Sequence, residues 1–130
     1  MQTYSLHVSL LSDTTPGRGD GVPGLVDVEV EHDRYGMPYL RGRTLKGLLV
    51  EEWSNLRFSL DQAGVELERW DTAALFLFGR PGSTVGAGAS MHIGHARLPA
   101  DLRQAVIADV RRGTYTPADV LGTLTAVRRQ

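Results

Sequence analysis

The stretch GRGDGVPGLVDVEVEHDRYGMPYLRGRTLKGLLV, residues 17–50, decides how the rest of the chain is interpreted. It starts with a glycine-rich loop, continues into an alternating segment with three acidic residues, and turns at Tyr35-Gly36. It then enters a predicted helix whose first turn is rich in arginine and lysine. We expect most of the functional residues to lie in this stretch.

Composition limits the classes of protein to which the chain can belong. Its 130 residues are enough for one domain or part of one, and its 42% hydrophobic and 22% charged residues are ordinary globular values. The absence of cysteine excludes disulfides and thiolate metal sites, and it fits a cytoplasmic location. A net charge of −1 means that any nucleic-acid binding must come from a local basic patch. No apolar run is long enough to span a membrane, so we expect no membrane partner.

The segment LVDVEVE, residues 25–31, alternates as a half-buried strand does. Its valines are predicted to face the core, while Asp27, Glu29 and Glu31 point away. One interpretation is a solvated edge strand whose charges oppose aggregation. The other makes Asp27, next to the glycine-rich loop, a catalytic or metal-binding carboxylate. The residues alone leave both interpretations open.

The helix that follows is predicted to begin with Thr44 as its N-cap. Its apolar face, spaced as in a core helix, comprises Leu45, Leu48, Leu49, Trp53 and Leu56. Gly47 in the first turn costs about 1 kcal/mol relative to alanine. Such a glycine indicates that something approaches the start of the helix closely.

Arg41, Arg43 and Lys46 surround this predicted helix start. Backbone amides, the positive end of the helix dipole and three cations together predict an anion site. A solvated basic turn is the alternative, although the dipole alone would favour acidic residues here. Arg18, in the glycine-rich loop over residues 12–24, is compatible with a phosphate contact. No phosphate-loop signature of nucleotide-hydrolysing enzymes is present.

The remaining elements are predicted from periodicity, proline and glycine. His92 and His95 fall on opposite faces of a strand, which argues against a zinc site. The apolar segment 75–78 is expected in the core or at a subunit contact. The predicted elements are a strand over 3–11, a turn over 32–36, an extended piece over 37–40, irregular or weakly helical chain over 57–70, a helix over 72–78 capped by Asp71, a strand over 91–98, a helix over 100–112, a helical segment from Thr116-Pro117, and a strand beginning within TLTAVRRQ at 123–130.

Three motifs in order resemble the N-terminal half of a RAMP-superfamily protein, an RNA-binding subunit of type III CRISPR effector complexes. They are GLVD at 24–27, DRYGMPYL at 33–40 and GRTLKG at 42–47. The family shows the run G-x-(I/V)-D … D-x-x-G-x-P-Y-I-P-G-S-S-L-K-G in the same order and spacing. The family's P-G-S is replaced here by RGR at 41–43, which resembles the III-D-like variants and adds two positive charges.

The resemblance covers roughly residues 17–97 and implies an α+β, RRM-like or ferredoxin-like RAMP fold with long glycine-rich loops. Residues 1–130 would form a single domain of this type, or only its N-terminal half. The implied partners are guide RNA, target RNA and other effector subunits, with a second copy or a complementing C-terminal half covering open sheet edges. The residues implied to contact RNA are Arg18, Arg41, Gly42, Arg43, Thr44, Lys46 and Gly47.

Asp27 occupies the place of an aspartate that target-cutting members of the family need for metal-dependent cleavage. The resemblance therefore implies Mg²⁺ as a cofactor if the chain cleaves RNA, and leaves open whether it does. The expected function is guide-RNA binding in antiviral defence, with endoribonuclease activity through Asp27 as an extension. The alternative is a small protein-interaction module, or assembly subunit, that binds no RNA.

Overall fold

The computed structural model describes residues 1–12, 14, 30–80 and 88–125. In chain order its elements are β1 (Tyr39–Leu40), α1 (Gly42–Gln62), α2 (Glu68–Phe78), β2 (Ala96–Arg97), α3 (Ala100–Arg111) and α4 (Pro117–Leu124). Helices combined with a two-stranded antiparallel sheet are compatible with the predicted α+β class. None of the helices in these ranges is long and apolar enough to cross a membrane.

The chain separates into two units. The terminal unit consists of Met1–Leu40 and Ala96–Gln130, and the central unit consists of Arg41–His95. Both short strands and the helices α3 and α4 therefore belong to the terminal unit, whereas α1 and α2 belong to the central unit.

A tight turn over residues 32–36 organises the terminal unit, as the sequence predicts. Asp33 closes the turn, because its Oδ1 accepts the amide hydrogens of Tyr35 and Met37 at N–O distances of 2.9 and 3.0 Å. The Asp33 amide also donates to the Met37 carbonyl oxygen over 3.0 Å. Aspartate is favoured in turns for this ability to bind nearby backbone. Met37, directly after the turn, is only 1% exposed.

Gly36 is the position at which this turn meets α4. Its φ of 84° lies in the left-handed region, which glycine adopts without steric cost. A Cβ at this position would lie 2.0 Å from the carbonyl oxygen of Pro117. The helix α4 starts with a capping box between Thr116 and Asp119, which confirms the helix start predicted there. The turn and α4 therefore pack backbone against backbone.

The two strands pair in antiparallel fashion, with Tyr39 opposite Arg97 and Leu40 opposite Ala96. An isolated antiparallel β-bridge also pairs His32, at the start of the turn, with Pro38, which follows it. The extended piece predicted over residues 37–40 is confirmed. The strand predicted over 91–98 is confined to β2, because residues 91–95 take no strand structure.

Glu31 is 5% exposed, so the prediction that its side chain points outward is wrong. Its Oε1 accepts a hydrogen bond from the Tyr39 hydroxyl over 2.7 Å, and its carbonyl oxygen accepts from the Tyr39 amide over 3.1 Å. A buried carboxylate needs polar partners, and the Tyr39 hydroxyl supplies one of them. Most of the predicted strand over 25–31, including Asp27 and Glu29, lies outside the described residues.

The helix α3 confirms the predicted helix over residues 100–112. Pro99 is the N-cap residue, and its missing amide hydrogen is no loss there because the first residues of a helix have no carbonyl partner within the helix. Gly113 follows the end of the helix with a φ of 77°. Arg103 Nε donates to the carbonyl oxygen of Leu98 over 2.9 Å, which ties the helix to the chain just after β2.

Two sequence predictions at the ends of the chain are wrong. Residues 3–11 form no strand, and their apolar side chains, such as Tyr4 at 81% exposure, lie in solvent. Alternation predicts a strand only where a sheet edge is available, and the described residues provide no partner for this segment. Thr123 and Leu124, predicted to open a terminal strand, belong to α4. Residues 126–130 lie outside the described part.

In the central unit, α1 and α2 are joined by an ion pair and an aromatic pair. Arg57 Nε and Nη2 donate to the two carboxylate oxygens of Asp71, over 2.7 and 2.9 Å. The indole rings of Trp53 and Trp70 are stacked, with 6.5 Å between their centroids. Offset aromatic pairs at this separation add modestly to the burial of their surfaces.

The boundaries of these two helices differ from the predictions. The segment 57–70, predicted as irregular or weakly helical, contains the last turns of α1 and the first turn of α2. Asp71 does not cap a helix over 72–78, because α2 begins at Glu68 and the Asp71 carboxylate pairs with Arg57. This pairing is not visible in the local sequence pattern.

The hydrogen bond between Tyr39 and Glu31 predicts a measurable loss on substitution. Tyr39→Phe keeps the ring but removes the hydroxyl that donates to a buried carboxylate. We expect the free energy of unfolding to fall by about 1–3 kcal/mol. Urea unfolding monitored by tryptophan fluorescence measures this difference, with Tyr115→Phe, an exposed tyrosine, as the matched control. An unchanged unfolding midpoint in Tyr39→Phe would contradict the assignment.

Two carboxylates predict how stability depends on acid. Hydrogen bonds from Arg57 lower the pKa of Asp71, and a hydrogen bond from the Thr116 amide lowers the pKa of Asp119. Their stabilisation is present above the unfolded-state pKa, about 3.9, and is lost as pH falls through the lower folded-state values. We expect the urea midpoint to fall on acidification below about pH 4.

This acid dependence should shrink in Asp71→Asn and in Asp119→Asn, each of which removes one of the two titrating groups. Glu52→Gln, an exposed residue on α1, is the control. A midpoint in Asp119→Asn that falls with acid as steeply as in the wild type would show that the capping carboxylate contributes nothing.

Candidate nucleic-acid interface

The candidate site is the start of α1, which begins at Gly42 with Arg41 as the N-cap residue. Arg41 has extended backbone angles, and its side chain makes no capping hydrogen bond. Its carbonyl oxygen accepts the Leu45 amide over 3.1 Å. The prediction that Thr44 is the N-cap is therefore wrong, since Thr44 lies in the first turn. A threonine is a common N-cap by residue type, but the helix starts three residues earlier, where a more distant segment contacts Gly42.

Those contacts come from residues 93–95, which follow α2 in the same unit. The Gly42 amide donates to Nδ1 of His95 over 2.9 Å, which requires that this nitrogen carries no proton. A Cβ on Gly42 would lie 2.0 Å from the carbonyl oxygen of Ile93. Gly42 is accordingly buried, although it is the first residue of an otherwise exposed helical turn. The role of His95 was missed in the sequence, where only an isolated histidine is visible.

Arg41, Arg43 and Lys46, here called the basic turn, lie at the start of α1. The two arginines are exposed and the lysine is half-buried. No acidic residue occupies the first turn of the helix. The positive end of the helix dipole and the side chains of Arg43 and Lys46 thus lie together, an arrangement that a bound anion would stabilise. Phosphate is an anion that helix amides and arginine bind well.

Gly47 differs from Gly42 in its surroundings. A Cβ at Gly47 would meet no atom within 4 Å, so the chain's own packing does not require glycine there. Gly47 and Thr44 are exposed next to the basic turn. The close approach of this chain's own backbone occurs at Gly42, which the sequence did not predict. The close approach predicted at Gly47 is not made by the described residues, and the surface beside Gly47 is open to a ligand.

The structure brings together six of the predicted RNA-contacting residues within residues 41–47. The seventh, Arg18, lies outside the described residues, and so does Asp27, the predicted catalytic and metal-binding residue. Within residues 1–12, 30–80 and 88–125 there is no group of three histidine or acidic side chains that could hold a metal ion.

The predicted core face of α1 is partly open to solvent. Leu48 is 50% exposed, and Leu49 and Leu56 are also exposed, whereas Leu45 and Trp53 are half-buried. The prediction of a buried core helix is therefore only partly correct.

The end of α2 is also apolar and open. Phe76 is 64% exposed, Leu75 and Leu77 are exposed, and Phe78 is half-buried. The expectation that residues 75–78 lie in the core is wrong for these three side chains. The other expectation, a subunit contact, stays a prediction.

No family model, curated protein or solved structure matches the chain.

The two glycines at the start of α1 predict opposite responses to alanine. Gly42→Ala places a methyl group against the Ile93 carbonyl, so we expect a loss of about 3 kcal/mol or more in unfolding free energy. Gly47→Ala meets open space in a helix, so we expect a gain of about 0.5–1 kcal/mol. Urea unfolding of the two variants beside the wild type measures both. Equal effects at the two positions would contradict the described start of α1.

Proposed function

We propose that this chain is a guide-RNA-binding subunit of a type III CRISPR effector complex, and that the basic turn holds backbone phosphates of the RNA. The proposal rests on the resemblance of residues 24–47 to the RAMP superfamily. It would place the chain in the cytoplasm, beside target RNA and other effector subunits. The fold in this proposal is RRM-like or ferredoxin-like, and the helices and two paired strands of the described residues are compatible with its α+β class.

The basic turn is the observation that carries the proposal. Three cations stand at the positive end of a helix in a chain whose net charge is −1. A phosphate chain would be attracted by these charges and could accept hydrogen bonds from first-turn amides other than that of Gly42, which donates to His95. Exposed Thr44 and Gly47 leave room for a strand to pass close to the helix. Since no aromatic side chain belongs to the basic turn, the contact would read the backbone and not the bases.

The exposed apolar faces of α1 and α2 favour a second candidate, a protein-interaction module without RNA. Apolar side chains that stay open in a single chain are typical of surfaces that bind a partner. In the first proposal, neighbouring effector subunits would cover these faces. In the second, they would be the whole function and the basic turn would be solvated. Measured RNA affinity separates the two.

Neutralising the basic turn tests the proposal. In Arg41→Ala/Arg43→Ala/Lys46→Ala we expect affinity for single-stranded RNA to fall roughly tenfold or more, without dependence on RNA sequence. The slope of log affinity against log salt should fall by about 2, from about 0.7 per lost phosphate contact. Fluorescence anisotropy with the purified full chain measures both quantities.

Arg69→Ala, which removes an exposed cation from α2, is the control and should leave the affinity and slope near the wild-type values. Gly47→Ala is a second test variant. It should stabilise the helix, yet it should weaken RNA binding if the RNA strand passes beside Gly47. A triple variant that binds RNA like the wild type would contradict the proposal. Self-association by light scattering, without RNA binding, would favour the interaction module.

The assembled effector complex is needed to test the proposed extension to RNA cleavage through Asp27. Asp27→Ala should abolish Mg²⁺-dependent cleavage of target RNA in the assembled complex and leave RNA affinity unchanged. Intact target RNA in the wild-type complex with Mg²⁺ present would remove the enzymatic part of the proposal. The RNA-binding part is tested separately by the RNA affinity of the triple variant.

A further inference from the structure

Two arginines in the terminal unit converge on one phenol oxygen. Nη2 of Arg34 donates to the Tyr35 hydroxyl over 2.6 Å, and Nη2 of Arg111 donates to the same oxygen over 3.3 Å. The guanidinium carbon of Arg34 also lies 4.8 Å from the centroid of the Tyr35 ring. Arg34 and Arg111 are exposed and Tyr35 is half-buried. We call these three residues the Tyr35 cluster.

The cluster contains two positive charges and no acidic partner. Among the residues that the structure describes, neither Arg34 nor Arg111 forms an ion pair. The carboxylates of the turn and of α3 bind elsewhere: Asp33 to turn amides, Asp101 to the Leu102 amide and Asp109 to Arg112. On the neighbouring helix α4, Asp119 binds its own helix cap. Two guanidinium groups that share one neutral oxygen repel each other, and the phenol offsets only part of this repulsion.

The Tyr35 hydroxyl responds to this field. Hydrogen bonds from Arg34 and then from Arg111 lower the pKa of Tyr35 below its ordinary value of 10.0, because they stabilise the phenolate. The position between the two guanidinium groups thus favours negative charge. Both side chains are exposed, so an anion can reach them from solvent.

We propose that the Tyr35 cluster binds a backbone phosphate of the RNA strand, through residues other than those of the basic turn. Each guanidinium presents a planar fork that matches phosphate oxygens, and the Tyr35 hydroxyl can donate a further hydrogen bond. The ligand that we infer is a phosphodiester. It carries one negative charge and presents tetrahedral oxygens, which is enough to contact both guanidinium groups. This inference rests on the proposed function for its RNA source, and the experiments below separate the two.

The first experiment measures RNA binding by the full chain with a 2′-O-methyl oligonucleotide, which resists alkaline cleavage. In Arg34→Ala/Arg111→Ala we expect affinity to fall several-fold and the salt slope to fall by about 0.7, for the loss of one phosphate contact. Arg112→Ala is the matched control, because it removes a neighbouring exposed cation that is paired with Asp109. If the double variant matches the wild type in affinity and slope, the inference is overturned and the proposed function stands.

The second experiment observes the tyrosine itself. The ionisation of Tyr35 is followed by NMR of ring-labelled tyrosine, assigned by its absence in Tyr35→Phe, with and without dimethyl phosphate at matched ionic strength. We expect the phosphodiester to raise the pKa of Tyr35, because a bound anion between the arginines opposes formation of the phenolate. Tyr115, exposed in the same unit, should not respond.

A Tyr35 pKa that does not change with dimethyl phosphate would overturn the inference, whatever the result of the RNA experiment. If the wild-type chain binds no RNA, the proposed function fails and the dimethyl phosphate titration alone decides the site. A raised Tyr35 pKa would then support a phosphodiester site and overturn RNA as its source.

Discussion

The contact between Gly42 and residues 93–95 is the constraint on which the central unit and the candidate interface depend. The Ile93 carbonyl oxygen leaves no space for a Cβ at Gly42, and His95 accepts the Gly42 amide. This contact joins the start of α1 to the chain after α2. Because it fixes where the helix begins, it also fixes Arg43 and Lys46 within the first two turns. The cations of the basic turn are visible in the sequence, but the contact that sets the first residue of the helix is not.

The sequence predicted those parts of the fold that depend on local chemistry. Asp33 and Gly36 mark a turn because an aspartate binds nearby amides and a glycine adopts positive φ. Pro99 and the capping box at Thr116 mark helix starts for equally local reasons. The same reasoning brought together the residues of the basic turn, since three cations at a helix start are visible without any knowledge of packing.

The errors arise where distant residues decide the structure. Glu31 was expected in solvent by alternation, but the Tyr39 hydroxyl across the turn holds it inside. Asp71 was expected to cap a helix, but it pairs with Arg57 fourteen residues earlier. Residues 3–11 alternate as a strand does, yet alternation cannot supply a neighbouring edge. The Tyr35 cluster joins residues 76 positions apart and has no signature in the sequence.

The central unit carries the basic turn, the terminal unit carries the Tyr35 cluster, and α1 and α2 have apolar faces that the described residues leave open. The most direct test of the central claim maps RNA on the chain by amide NMR shifts during titration with single-stranded RNA. The account predicts that the largest shifts occur at the amides of residues 43–47. Shifts confined to the apolar end of α2, or no shifts at all, would contradict it.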